Sequence, residues 1–203
     1  MKNLFKWLVR VIGVLIFAVV GAVTYIFVVS ERAREQAYDV PVTSFTAPRD
    51  PAAVENGRRQ AIIHGCTSCH GPQLSGLTML DDPKLARIRS PNITMIVPRY
   101  SDAELARLLR KGVKRDGHGL WVMPASPHLS DEDLGAIIVY LRTVPQQPGD
   151  AGEVTMGPLA RLGVATGKMG SSVNLESIQP TIVDRSNPIA FGRYLVKSAC
   201  TDC

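Results

Sequence analysis

Cysteine is scarce in this chain and confined to two pairs: four residues in 203, placed as Cys66/Cys69 and Cys200/Cys203. A disulfide scaffold scatters cysteines through a short, loop-rich domain, so this usage points away from one. Also lacking is any period-two alternation long enough to specify a strand, which predicts an all-α domain. Charge is absent from Val11 to Val29 and present on both sides, with Lys2, Lys6 and Arg10 before the gap. That gap is close to the ~20 residues a helix needs to cross a bilayer. It is longer than the roughly 7–15-residue core of a cleaved signal peptide, and Val28-Val29-Ser30 is a poor cleavage site. Residues 1–30 are therefore expected to form an uncleaved membrane anchor.

What is present begins with Cys66-Thr67-Ser68-Cys69-His70. Two thiols three residues apart can form thioethers to the two vinyl groups of one haem, and the histidine that follows is placed under the iron as its proximal ligand. A CxxC pair also serves zinc sites and redox dithiols. A four-thiolate zinc site built from both pairs is geometrically allowed, but it leaves His70 unexplained. Covalent haem attachment in bacteria occurs outside the inner membrane, whereas the charge bias around the apolar segment is weak: Arg32 and Arg34 are mixed with Glu31 and Glu35. Together these signals predict a periplasmic body, where nucleic acid is not a partner.

Length allows one compact domain of ~100 residues plus extras. Three helices are expected in it. The first runs from Pro51 to His64, with proline in its opening turn. The second opens on a capping box, Ser101-Asp102-Ala103-Glu104, with Leu105, Leu108, Leu109 and Val113 on one face. Lys111 and Lys114 suit its C-terminal end. The third starts at Ser130, carries Leu134, Ile137, Ile138 and Leu141 at helical spacing, and stops before Pro145. Short helices with long loops bury little by themselves, and a large flat apolar cofactor supplies the missing surface.

The iron's second face needs a ligand. Met123-Pro124 lies in the loop between the second and third helices, where a thioether can approach opposite His70 with proline stiffening the approach. Met79, Met95 and His118 are the alternatives, and His128 also flanks the loop. His64 and His128 read as surface or capping residues. Trp121 either packs on the haem edge, bonds a propionate or fills core. His/Met ligation fills both axial positions and raises the reduction potential, which suits electron transfer over oxygen chemistry.

The ordered set of Gly57, Cys66-Thr67-Ser68-Cys69-His70-Gly71, Met123-Pro124 and Tyr140-Leu141-Arg142 resembles a class I cytochrome c domain. Pro91-Asn92-Ile93-Thr94 and Tyr100-Ser101-Asp102 narrow the resemblance to the membrane-bound multihaem cytochrome c subunits of periplasmic alcohol, aldehyde and gluconate dehydrogenases. It covers about residues 50–146. The resemblance implies haem c, a dehydrogenase as electron donor, a respiratory-chain acceptor and the Asn-Ile-Thr segment beside the haem. Arg59 stands where family members often carry an aromatic, which predicts a looser contact between the first and last helices.

Phe191 through Cys203 parallels Asn56 through Cys69, and Tyr194 supplies the aromatic that the first copy lacks. Cys200 and Cys203 are therefore expected to be a second, incomplete haem-attachment pair. The expected organisation is an anchor at 1–30, a linker at 31–49 and the cytochrome domain at 50–146. A linker at 147–188 follows, with a short helix at Gly157–Gly163, then the start of a truncated second domain at 189–203. A natural C-terminal redox thiol pair is the alternative for that end. Met156 and Met169 have no evident haem role. The sequence pI is about 9.2, and Arg107, Arg110, Lys111, Lys114 and Arg115 form a basic cluster. That cluster either steers an acidic partner, meets anionic lipid or is a solvated helix face.

The sequence thus reads as a membrane-anchored periplasmic electron carrier, not itself an enzyme. The rivals are a peroxidase-type haem enzyme, which needs an open iron site, and a haem-free zinc or dithiol module.

Overall fold

A computed structural model describes residues 2–177 and 181–200. Helix α1 (Lys2–Arg34) is one unbroken rod that carries the uncharged stretch. It is long and apolar enough to cross a membrane, and none of its most apolar stretch is buried against the rest of the chain. The haem-motif region follows as α2 (Pro51–Ile63) and α3 (Cys66–His70), and then come α4 (Ile93–Ile96), α5 (Asp102–Lys111) and α6 (Asp131–Thr143).

The three expected helices form where their caps direct. Asp50 Oδ1 accepts from the Ala53 amide at 2.8 Å ahead of Pro51, and His64 closes α2. The capping box of α5 is complete: Ser101 Oγ accepts from the Glu104 amide, and Glu104 Oε2 accepts from the Ser101 amide at 2.7 Å. Gly112 ends that helix at φ 66, the left-handed conformation that favours glycine. Val113 falls beyond the helix yet is fully buried, in a bridge to Gly119. Ser130 Oγ caps α6 through the Asp133 amide.

The core is the contact of α2 and α5 with α6, built on Leu105, Leu134, Ile137, Ile138 and Leu141. The contact of α2 with α6 runs through Gly57 and leaves Arg59 outside it. Arg59 is exposed, and an added Cβ at Gly57 would lie 1.8 Å from the Ala136 carbonyl oxygen.

Two features add to the expected helices. A small antiparallel sheet is present, with strands β1 (Thr78–Asp82), β2 (Ala86–Arg89) and β3 (Glu153–Met156) in that order. It remains minor in a helical domain. The segments read as linkers are also docked. In the first, Tyr38 N–H donates to Gly117 O, Ala37 bridges His118, and Ala47 is buried in the core. In the second lie β3 and α7 (Pro158–Ala165), the expected short helix, which packs on the end of α1.

Asp102 holds the first of these segments down. Its Oδ2 accepts from the Ala47 amide at 3.0 Å, and its Oδ1 accepts from the Arg142 guanidinium at 2.7 and 2.9 Å. Burial alone would raise this carboxyl, but the Ala47 amide and Arg142 together hold it below its ordinary 3.8. A depressed folded value gives stability that is present above the unfolded value and lost as pH falls through the folded one. Asp102→Asn is expected to cost about 1–2 kcal/mol at neutral pH. In urea melts that difference should shrink as pH falls below the ordinary 3.8 and on through the lower folded value; a difference that does not shrink with acid would contradict the assignment.

Helix α8 (Pro188–Leu195), in the second copy of the motif, docks on the N-terminus of α6. Asp133 is fully buried and accepts from Tyr194 Oη at 2.8 Å, Arg185 Nη2 at 2.6 Å and Asn56 Nδ2 at 3.1 Å. Tyr194→Phe removes one donor from a buried carboxylate, a loss of about 1.5 kcal/mol. Faster amide exchange in α8, with α5 unchanged, is the expected readout.

Candidate functional site

One apolar cavity of about 260 Å³ opens between α3, α4, α5 and α6. Ile93, Ile96, Val97, Leu105, Leu109 and Ile137 make its walls. Cys66, Cys69 and His70 line it from α3, and Trp121, Met123 and Pro124 line it from the loop before α6. Sequence positions more than 50 residues apart are thus brought to one chamber.

His70 is buried, and its Nδ1 lies 2.8 Å from the Pro91 carbonyl oxygen. A carbonyl only accepts, so Nδ1 carries the proton and Nε2 is left with its lone pair, the form a metal needs. Burial, the larger effect, pulls this imidazole below its ordinary value against the opposing pull of Pro91. The side chain is therefore held neutral. Burial also pushes the Cys66 thiol up to about 11.

The methionine loop is pinned at both ends to the close of α5. The Leu120 amide donates to Gly112 O at 2.8 Å, and the Ser126 amide donates to Leu109 O at 2.7 Å. Of the alternatives, Met79 lines the cavity, whereas Met95, His118 and His128 lie outside its lining. His118 instead pairs with Asp116 at 3.3 Å. His64, which caps the C-terminus of α2, also lines the cavity. Trp121 serves two surfaces: it lines the cavity and packs on Met156, Ala160 and Val164. Met156 therefore has a packing role, and Met169 sits exposed against Gly163.

The Pro91–Thr94 segment acts through its backbone and its internal bonds. Asn92 Oδ1 accepts from both Thr94 N–H and Thr94 Oγ1, and Asn92 Nδ2 donates to Gln147 O at 2.7 Å. Asn92 is 1% exposed and so holds the chain after α6 in place. The basic cluster is largely committed within the fold. Arg107 donates to Val40 O and Lys114 O, Arg110 pairs with Asp131, Arg115 pairs with Glu104, and Lys111 donates to Glu176 O. Cys200 is exposed at the end of the π-helical turn Val196–Cys200, and Cys203 lies outside the described residues.

This helical domain brings two cysteines, a buried histidine and a pinned methionine loop to one apolar chamber, a donor set that fits haem. Residues 52–141 match the family described as cytochrome c oxidase, cbb3-type, subunit III. Over 169 residues the chain is 30% identical to a nicotinate dehydrogenase subunit from Pseudomonas putida, covering 75% of this chain and 14% of that protein. Over 108 residues it is 31% identical to the cytochrome c subunits of alcohol dehydrogenase (quinone) from Gluconacetobacter polyoxogenes and Komagataeibacter europaeus. That match covers 47% of this chain and 22% of each relative. The chain spans less than a quarter of the length of these relatives. It carries a class I c-type cytochrome domain and resembles dehydrogenase cytochrome c subunits.

Proposed function

We propose that this chain is a membrane-anchored cytochrome that relays single electrons from a periplasmic dehydrogenase towards the respiratory chain. The meeting of Cys66, Cys69, His70 and Met123 at one apolar cavity is the observation that carries the reading. The residues fit haem c: two thiols for thioether bonds, a histidine with its Nε2 lone pair free and a thioether in the opposing loop. Haem c, when bound, supplies one-electron Fe(III)/Fe(II) chemistry. Cys66 and Cys69 would tether it, and His70 and Met123 would ligate its iron. The apolar walls keep water from the iron and favour the less charged reduced state. Cys200 and Cys203 are the attachment pair of a second haem.

The donor assignment is supported by the relatives' names, which are of dehydrogenase subunits. The anchor assignment is supported by α1. The test is a redox titration of the haem-loaded chain with visible spectra in both states. A low-spin, six-coordinate spectrum with reversible one-electron reduction and no carbon monoxide complex is expected. A high-spin ferric spectrum with peroxide turnover would move the reading to a haem enzyme.

A further inference from the structure

The end of α1 is built into the cytochrome domain. Ser30 is fully buried and accepts from Arg161 Nη1 at 2.9 Å. The same nitrogen pairs with Glu31 at 2.8 Å, and the guanidinium sits 4.3 Å from the centroid of the Phe27 ring. Ala33 packs on Met156, Ala160 and Val164, and Arg34 Nη1 donates to Val154 O at 3.2 Å. Helix α7 is thus fastened to α1 between Phe27 and Ala33, and β3 is tied to Arg34.

That attachment fixes a height. The uncharged run Val11–Val29 rises about 28 Å at ~1.5 Å per residue, close to the ~30 Å hydrocarbon core. With that run in a bilayer, Phe27 lies just inside the core boundary and Ala33 about 6 Å beyond the end of the run, within the headgroup layer. Helix α7 is then level with the headgroups. Its Ala160 and Val164 face the domain, while Leu159 and Leu162 are 57% and 44% exposed. These two leucines are three residues apart, so they share a face, and the junction with α1 sets that face at the height where the anchor meets water. Lys168, on the turn that follows, is exposed as well.

We propose that α7 is a second membrane contact: Leu159 and Leu162 insert among the lipid headgroups beside α1, so that the domain is held at one orientation on the bilayer. The occupant of this face is the lipid surface. The inference rests on the reading of α1 as a membrane anchor. Helix α7 adds the apolar face, and its bonds to α1 replace a flexible tether with a rigid junction. Trp121, which packs on the α7 cluster and lines the cavity, passes that fixed height to the haem chamber.

The test uses the haem-loaded full chain in nanodiscs of phosphatidylcholine and phosphatidylglycerol. Cys200→Ser and Cys203→Ser form the background, and Phe17→Cys, Leu159→Cys and Leu162→Cys are spin-labelled one at a time. Collision with oxygen, which partitions into lipid, is compared with collision with a water-soluble nickel chelate. Labels at 17, 159 and 162 that all favour oxygen support the proposal. A label at 17 that favours oxygen, with 159 and 162 favouring nickel, overturns it, keeps the anchor and leaves the leucine face to a protein partner. A label at 17 that favours nickel removes the anchor and the proposal together.

Discussion

Met123→Ala is expected to lower the midpoint potential by on the order of 0.2 V and to abolish the methionine–iron charge-transfer band. Axial ligation sets haem potentials over a span of ≈ 0.8 V, and a thioether favours the reduced iron more than water or imidazole does. The loop is pinned by backbone bonds at Leu120 and Ser126, so truncating one side chain within it should leave the fold intact. Two other groups at the cavity could respond. Met79 lines the same chamber, and so does His64. If His64 takes the place of Met123, the spectrum stays low-spin while the potential still falls. Met79→Leu separates the two methionines, since it should leave band and potential unchanged. A Met123→Ala protein that keeps the band would hand the distal role to another residue.

Gly57→Ala is expected to destabilise the domain by about 3 kcal/mol or more, even though alanine is the better helix former by about 1 kcal/mol. The contact decides the sign. An added Cβ would lie 1.8 Å from Ala136 O and 2.7 Å from Tyr140 Cβ, so α2 and α6 must separate. That separation loosens the core behind the cavity, because Ile137 and Leu141 belong to both. For a domain of about 100 residues the loss corresponds to a fall in melting temperature on the order of 15 °C. The second motif copy provides the control. Gly192 occupies the parallel place in α8, where an added Cβ meets nothing within 4 Å. Gly192→Ala should therefore be neutral or stabilise by up to about 1 kcal/mol. Equal effects at the two glycines would contradict the packing described.

The helices and the attachment motif were readable because their signals are local. Ser101 and Glu104 cap one another within four residues, and the Cys66–His70 spacing is set by the chemistry of one haem. The sheet was not, for a physical reason. Strand β1 has only Leu80 half-buried and slips register between Thr78 and Leu80, so it leaves no alternation to read. Strand β3 pairs with a partner more than 60 residues away, which composition does not report. The docked segment after α1 is held largely by backbone amides and carbonyls, which every sequence supplies alike. Its few side-chain contacts, such as Asp102 with the Ala47 amide, link distant positions. His64 is legible as the cap of α2, whereas its place in the cavity lining depends on contacts from other elements. The basic cluster looked free because the carbonyls and carboxylates that occupy it come from other loops.

The most direct test of the whole account is a pyridine haemochrome spectrum with a haem-to-protein ratio, on the chain matured in cells that attach haem c. Peptide mass mapping across Cys66–Cys69 accompanies it. The account predicts covalently bound haem c, at least one per chain, carried on that peptide. A colourless chain, or haem extracted by acid and organic solvent with both thiols unmodified, would contradict it.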